Sequence, residues 1–125
     1  MKKILIIDDD EIFSKILSDS LPKEKYSTIY TDDGEKGLKL IKDEKPDLVL
    51  LDLLMPKMGG LVFLENLKKE TNLNSIPILI SSQLSNIADI SEAVSTGMSV
   101  GVKGYIIKAS ENLEMILKRI DKMME

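Results

Sequence analysis

Four short apolar runs and one weaker alternating run, each separated from the next by a stretch of helical periodicity, constrain this 125-residue chain more than any other feature. The runs are Ile4-Leu5-Ile6-Ile7, Leu48-Val49-Leu50-Leu51, Ile78-Leu79-Ile80 and Tyr105-Ile106-Ile107, with the alternating one at Tyr26 to Thr31. A strand open to water on one face alternates apolar and polar residues, whereas a strand covered on both faces reads as a continuous apolar run. Between the runs lie residues with helical spacing: Ile12, Phe13, Ile16 and Leu17; Leu38 and Ile41; Leu61, Leu64 and Leu67; Ile87, Ile90 and Val94; Leu113, Ile116, Leu117 and Ile120. Each such stretch can bury one stripe against a sheet. Five strands alternating with five helices leave only short connections, and right-handed crossovers then put helices on both faces of a parallel sheet. The expected fold is therefore α/β, a doubly wound five-stranded parallel sheet, in one domain over residues 1–125.

Two absences narrow the chemistry. Without Cys there is no disulfide, thiolate nucleophile or Cys-based zinc site, and without His no imidazole can act as base, metal ligand or phosphoryl carrier. The reactive groups must be Asp, Glu, Lys, Ser, Thr or Tyr. A net charge of -4 argues against a domain that coats nucleic acid and favours a cation or a basic partner. The apolar run that follows Lys2 and Lys3 is too short for a signal peptide or a membrane span, so no membrane insertion and a cytoplasmic location are expected.

In a doubly wound sheet, ligands bind beyond the carboxyl ends of the strands, where strand order reverses. Those ends carry Asp8, Asp9 and Asp10 after the first run, Asp52 after the third, Ser81 and Ser82 in the fourth, and Lys108 after the fifth. Singly, each has a plain explanation. Aspartates between strand and helix commonly cap the helix, Asp52 could close a strand before the turn at Pro56, serines form turns, and lysines are solvated. Together they put several carboxylates, a hydroxyl and an ammonium on one edge. Carboxylates crowded in one small site call for a counter-ion, and Mg2+ is the usual hard cation for such oxygens. The lysine and hydroxyl would then address an anion, which completes the parts of phosphoryl transfer.

Four segments carry a family resemblance: Ile-Ile-Asp-Asp-Asp at 6–10, Asp-Leu-Val-Leu-Leu-Asp-Leu-Leu-Met-Pro-Lys-Met-Gly-Gly at 47–60, Pro-Ile-Leu-Ile-Ser-Ser at 77–82 and Gly-Tyr-Ile-Ile-Lys at 104–108. Over essentially its whole length the chain resembles a response-regulator receiver domain of the chemotaxis-regulator, flavodoxin-like type. The resemblance implies the strand order 2-1-3-4-5. It also implies that Asp52 is the phosphoacceptor, that Asp8, Asp9, Asp52 and the backbone carbonyl of Leu54 serve Mg2+, and that Ser82 and Lys108 contact the phosphoryl oxygens. Ser82 and Tyr105 are the implied switch residues, reshaping the surface formed by the fourth helix, fifth strand and fifth helix for a downstream protein partner.

What the resemblance implies for function is a stand-alone response regulator of a two-component phosphorelay, since no effector domain follows Glu125. Its donor would be a sensor histidine kinase or a histidine phosphotransfer protein. It would not be an enzyme on other substrates, promoting only its own phosphorylation and dephosphorylation, and with no basic recognition helix it would not bind DNA directly. Three departures stand out: Ala109 where the family usually has proline, about four extra residues between Ser82 and Lys108, and Gln83 where a small residue is usual. Ala109 and the lengthened fourth-helix region support an alternative, a phosphorylation-independent interaction module, whereas Gln83 would alter rates more than identity. A haloacid-dehalogenase-type hydrolase fits poorly because Leu54 stands where a second carboxylate is needed, and an acidic first loop opposes a flavin phosphate.

Overall fold

The runs at Ile4–Ile7, Leu48–Leu51 and Ile78–Ile80 become strands because neighbouring side chains along each enter two different cores. In the edge run Ile106 enters a core and Tyr105 is exposed, so that run is not covered on both faces as its apolar character suggested. The structure, a computed structural model, describes residues 1–53, 59–70, 76–82, 102–108 and 112–125. The strands are β1 (Lys2–Ile7), β2 (Tyr26–Thr31), β3 (Leu48–Asp52), β4 (Ile78–Ser82) and β5 (Val102–Ile107). They form one parallel sheet in the order β2-β1-β3-β4-β5, as the resemblance implied. The helices described are α1 (Glu11–Ser20), α2 (Gly34–Glu44), α3 (Gly60–Lys68) and a C-terminal helix (Leu113–Met123). The fourth helix expected around Ile87 to Val94 lies outside the described residues, as do Leu54, Pro56, Gln83 and Ala109.

Alternation along the strands sorts the two cores. Leu5, Ile7, Val49, Leu51, Ile78 and Ile80 join Ile41, Phe63, Leu64 and Leu67 of α2 and α3 on one face. Ile4, Ile6, Leu48, Leu50, Leu79 and Ile106 join Leu17, Ile116 and Ile120 of α1 and the C-terminal helix on the other. Both faces being covered, no position in β3 can be polar until Asp52, the last one.

The α1 stripe differs from the periodicity reading. Ile12 and Ile16 are 75% and 50% exposed, while Ser14 and Leu17 are buried and Phe13 packs against the second core. The helix is rotated so that the line through Phe13, Leu17 and Leu21 meets the sheet, which leaves the Ile12–Ile16 pair on its flank. Asp10 fixes this start by capping α1, its carboxylate accepting from Phe13 N at 3.0 Å. The glycine before α3 plays a plainer role than a need for special backbone freedom would suggest. Gly59 has φ -65°, open to any residue, and a Cβ there would meet only Leu53 O at 3.7 Å.

Gly37 is different, because α2 rests directly on the sheet there. A Cβ at Gly37 would lie 2.6 Å from Ile7 Cδ1 and 3.1 Å from Ile7 Cγ1, and Ile7 is fully buried. Alanine would gain about 1 kcal/mol of helix propensity, while overpacking costs roughly 1–3 kcal/mol. Gly37→Ala is expected to lower stability by about 1 kcal/mol on balance, read as a reduced urea midpoint with an unchanged slope. A midpoint above wild type would contradict the close approach of α2.

Across the other face, Tyr26 at the start of β2 donates its hydroxyl to Asp121 of the C-terminal helix at 2.5 Å. Burial first, then this bond and the charge of Asp121, raise the Tyr26 phenol from 10.0 to about 12. The hydrogen bond from Tyr26 is also the main cause that lowers the Asp121 carboxyl, with Lys25 assisting and burial opposing. The neutral phenol is the form the fold prefers, so this stabilisation is complete below pH about 10 and drains away as pH rises towards about 12. Tyr26→Phe should therefore flatten the alkaline fall of the melting temperature, measured against wild type over that window. Equal alkaline slopes in the two proteins would remove Tyr26 as the cause.

Candidate functional site

The chain leaves β1 towards β2 on one side and later returns to β3 on the other, so the carboxyl ends of β1 and β3 flank the point where strand order reverses. Asp8 follows β1, and Asp52 ends β3. Both carboxylates are buried, at 1% and 4% exposure, whereas Asp9 is exposed at the rim. One carboxylate oxygen from each of Asp8, Asp9 and Asp52 lies within 4.8 Å of the others.

Lys108, the residue after β5, closes the set. Its side chain is only 6% exposed, and its Nζ stands 2.6 Å from Asp8 Oδ2 and 3.9 Å from Asp52 Oδ2. The same ammonium sits 4.6 Å from the centre of the Phe13 ring. Asp8 is held from its other oxygen, which accepts from Asp10 N at 2.9 Å. Three carboxylates against one ammonium leave the pocket with two formal negative charges in excess. This all-oxygen, carboxylate-rich donor set fits a hard divalent cation such as Mg2+, which would both screen the carboxylates from one another and neutralise the excess.

The negative field reaches the neighbouring edge. Tyr30 on β2 has its phenol raised from 10.0 to about 12, by burial first and then by Asp32, Glu11, Asp8 and Asp9. A phosphoryl dianion approaching such a rim would be repelled without a cation in place.

Asp8, Asp9, Asp52 and Lys108, gathered from three strand ends, thus meet as the strand-end reading expected. Ser82 ends β4 with its backbone paired to Ile107, but its side chain and the Leu54 carbonyl lie outside the described residues. Ser81 is the serine whose partner across the ladder is Asp52, and it is buried. Tyr105 on β5 is 45% exposed, and its carbonyl accepts from the Arg119 guanidinium on the C-terminal helix. Asp10, named with the first strand end, takes the capping role that its place before a helical stripe suggests, whereas Phe13, the ring under the ammonium, was not singled out by the sequence reading. The ring had no signal beyond being one of several apolar residues in that stripe.

The family model "Response regulator receiver domain" matches residues 4–121. The chain is 37% identical over 127 residues to a probable transcriptional regulator, ycf27, of Porphyridium aerugineum, covering 97% of this chain and 50% of that protein. It thus spans about half the length of the curated relatives it matches. Among solved structures, the chemotaxis protein CheY4 of Vibrio cholerae superposes with a TM-score of 0.82 at 25% identity, covering 98% of both chains. The phosphorylated cyanobacterial phytochrome response regulator RcpA superposes with a TM-score of 0.80 at 26% identity, covering 98% of this chain and 90% of that one. With the family match running through all five strands and the acidic rim at their carboxyl ends, the chain belongs to the response regulator receiver domain family.

Proposed function

We propose that this chain is a phosphorylation-controlled switch that accepts a phosphoryl group on Asp52, with Mg2+ as cofactor and a phosphohistidine of a sensor kinase or phosphotransfer protein as donor. The observation that carries the reading is the Lys108 ammonium buried between Asp8 and Asp52 at the mouth of the carboxylate cluster. A lysine there is poised to meet negative charge that arrives on Asp52. An Asp52 carboxylate oxygen attacks phosphorus as the bond from phosphorus to the donor nitrogen breaks, leaving an acyl phosphate and a free imidazole. Asp8, Asp9 and Asp52 would hold Mg2+, with the Leu54 carbonyl a further ligand by family pattern; when bound, the ion neutralises phosphoryl oxygens. Lys108 moves from Asp8 to the phosphoryl group, and Ser82 is assigned a phosphoryl contact by the same family pattern. The new charge of about -1.5 to -2 with three acceptor oxygens then biases a two-state surface, for which Tyr105 on β5 is the exposed aromatic.

The output on this reading is protein contact through β5 and the elements beside it, with no catalysis on other substrates. The chain's charge of -4 opposes DNA contact by these residues themselves, although its longer relatives are named as transcriptional regulators. No helix among the described residues is long and apolar enough to cross a membrane, and a cytoplasmic location accords with a kinase donor. The test is incubation of the purified chain with acetyl phosphate, with Mg2+ and with a chelator, followed by intact-mass and peptide analysis. A gain of one phosphoryl group on Asp52 that requires the metal supports the reading. No gain from any donor would favour a phosphorylation-independent binding module.

A further inference from the structure

We propose that Phe13 is a positioning residue for Lys108, its ring face holding the ammonium at the mouth of the site while the lysine's carboxylate contacts change. The proposal deepens the receiver reading and rests on it. The contacts form a closed circuit. Lys108 Nζ donates to Asp8 Oδ2 at 2.6 Å, Asp8 Oδ1 accepts from Asp10 N at 2.9 Å, Asp10 Oδ1 accepts from Phe13 N at 3.0 Å, and the Phe13 ring lies 4.6 Å from the same ammonium. An ammonium within about 6 Å of a ring centre is attracted by the negative face of the ring, more strongly where water is excluded. Here the lysine side chain is 6% exposed.

The chemistry explains why a ring serves where a third carboxylate would not. A cation on Asp8 and Asp52 competes directly for the oxygens that now hold Lys108, and a phosphoryl group on Asp52 draws the ammonium away from Asp8. The ring is neutral, binds neither the cation nor the phosphoryl group, and repels no incoming anion. It can therefore keep its hold through every stage. The ring itself is fixed twice, by the cap on its own backbone and by packing against the core of the α1 face. A lysine on a four-carbon stem without that hold would sample positions outside the site, and small misplacements of a charge-neutralising group are costly in rate.

The experiment pairs a rate with a contact-specific signal. In the metal-free protein, the ε-methylene protons of Lys108 should be shifted upfield by the ring current. Phe13→Leu and Phe13→Met should lose that shift, and Phe13→Tyr should keep it. At saturating Mg2+ and acetyl phosphate, the Leu and Met variants should take up the phosphoryl group roughly five- to thirtyfold more slowly than wild type, with the Tyr variant near wild type. Adding Phe13→Leu to Lys108→Ala should cause no further loss. An unshifted Lys108, a Leu variant as fast as wild type, a Tyr variant as slow as Leu, or a full additional loss in the Lys108→Ala background would each overturn the proposal. A wild type that takes up no phosphoryl group at all would overturn the receiver reading and this role together. The ring-current shift would then show that the failure lay in the function assigned and not in the contact.

Discussion

Asp52→Asn is expected to remove phosphoryl uptake altogether, a fall of roughly a thousandfold or more that places the variant below detection by intact mass. The substitution keeps shape and exchanges one carboxylate for an amide, so the nucleophilic oxygen is lost while the packing of β3 is kept. Asp52 pairs with Ser81 in the sheet and is buried, and neither relation needs its charge. Folding in metal-free buffer should hold or improve slightly, since one of three mutually repelling carboxylates is gone. That combination is the diagnostic one, because a merely unfolded variant would lose both properties. Asp9→Asn offers a contrast. Asp9 is exposed and is assigned to the cation, so its variant should need more Mg2+ yet still accept the phosphoryl group at high metal. If Asp52→Asn incorporated phosphoryl as wild type does, the acceptor would have to be sought elsewhere on the rim.

Much of this site was legible because doubly covered strands leave polar residues only at their ends. Leu48 to Leu51 are all buried, so the carboxylate that follows at Asp52 stands out from an apolar background, as Asp8 does after Ile4 to Ile7. Lys108 was found only by its place one residue past the last apolar run, since β5 is an edge strand in which Lys103 and Tyr105 are exposed. Strand order was not readable from periodicity, since nothing in the apolar runs says which strand neighbours which; family motifs supplied it. Rotation of α1 was misjudged because Ile12, Phe13, Ile16 and Leu17 spread over more arc than one contact stripe needs, and only packing decides that Leu17 goes in and Ile16 stays out. Contacts between distant residues with no local signature were invisible as well. The Tyr26–Asp121 bond joins positions 95 apart, and the Lys108 contact with Phe13 depends on the exact set of the first helix against the fifth strand.

Lys108→Met should produce the second large effect, and its sign depends on the metal. In wild type without a cation, the ammonium is the internal counter-charge of a buried pocket, 2.6 Å from one carboxylate and 3.9 Å from another. Methionine fills similar volume, keeps an apolar stem against Phe13 and leaves the carboxylates facing one another. Removing one partner from a buried ion pair typically costs about 3–5 kcal/mol because the remaining charge is uncompensated. In chelator the variant should therefore unfold at a clearly lower urea concentration than wild type. Mg2+ should restore much of the difference, because a ligand that binds only the folded state stabilises it by mass action. The lost ammonium was also a competitor for Asp8 and Asp52, so the variant should bind Mg2+ more tightly than wild type while accepting a phosphoryl group far more slowly. Adding Asp8→Asn to Lys108→Met should recover stability in chelator, since the carboxylate left stranded is then gone. Equal urea midpoints for Lys108→Met and wild type in chelator, with equal Mg2+ affinity, would mean that the ammonium does not balance the pocket, and the electrostatic account of the site would fail with it.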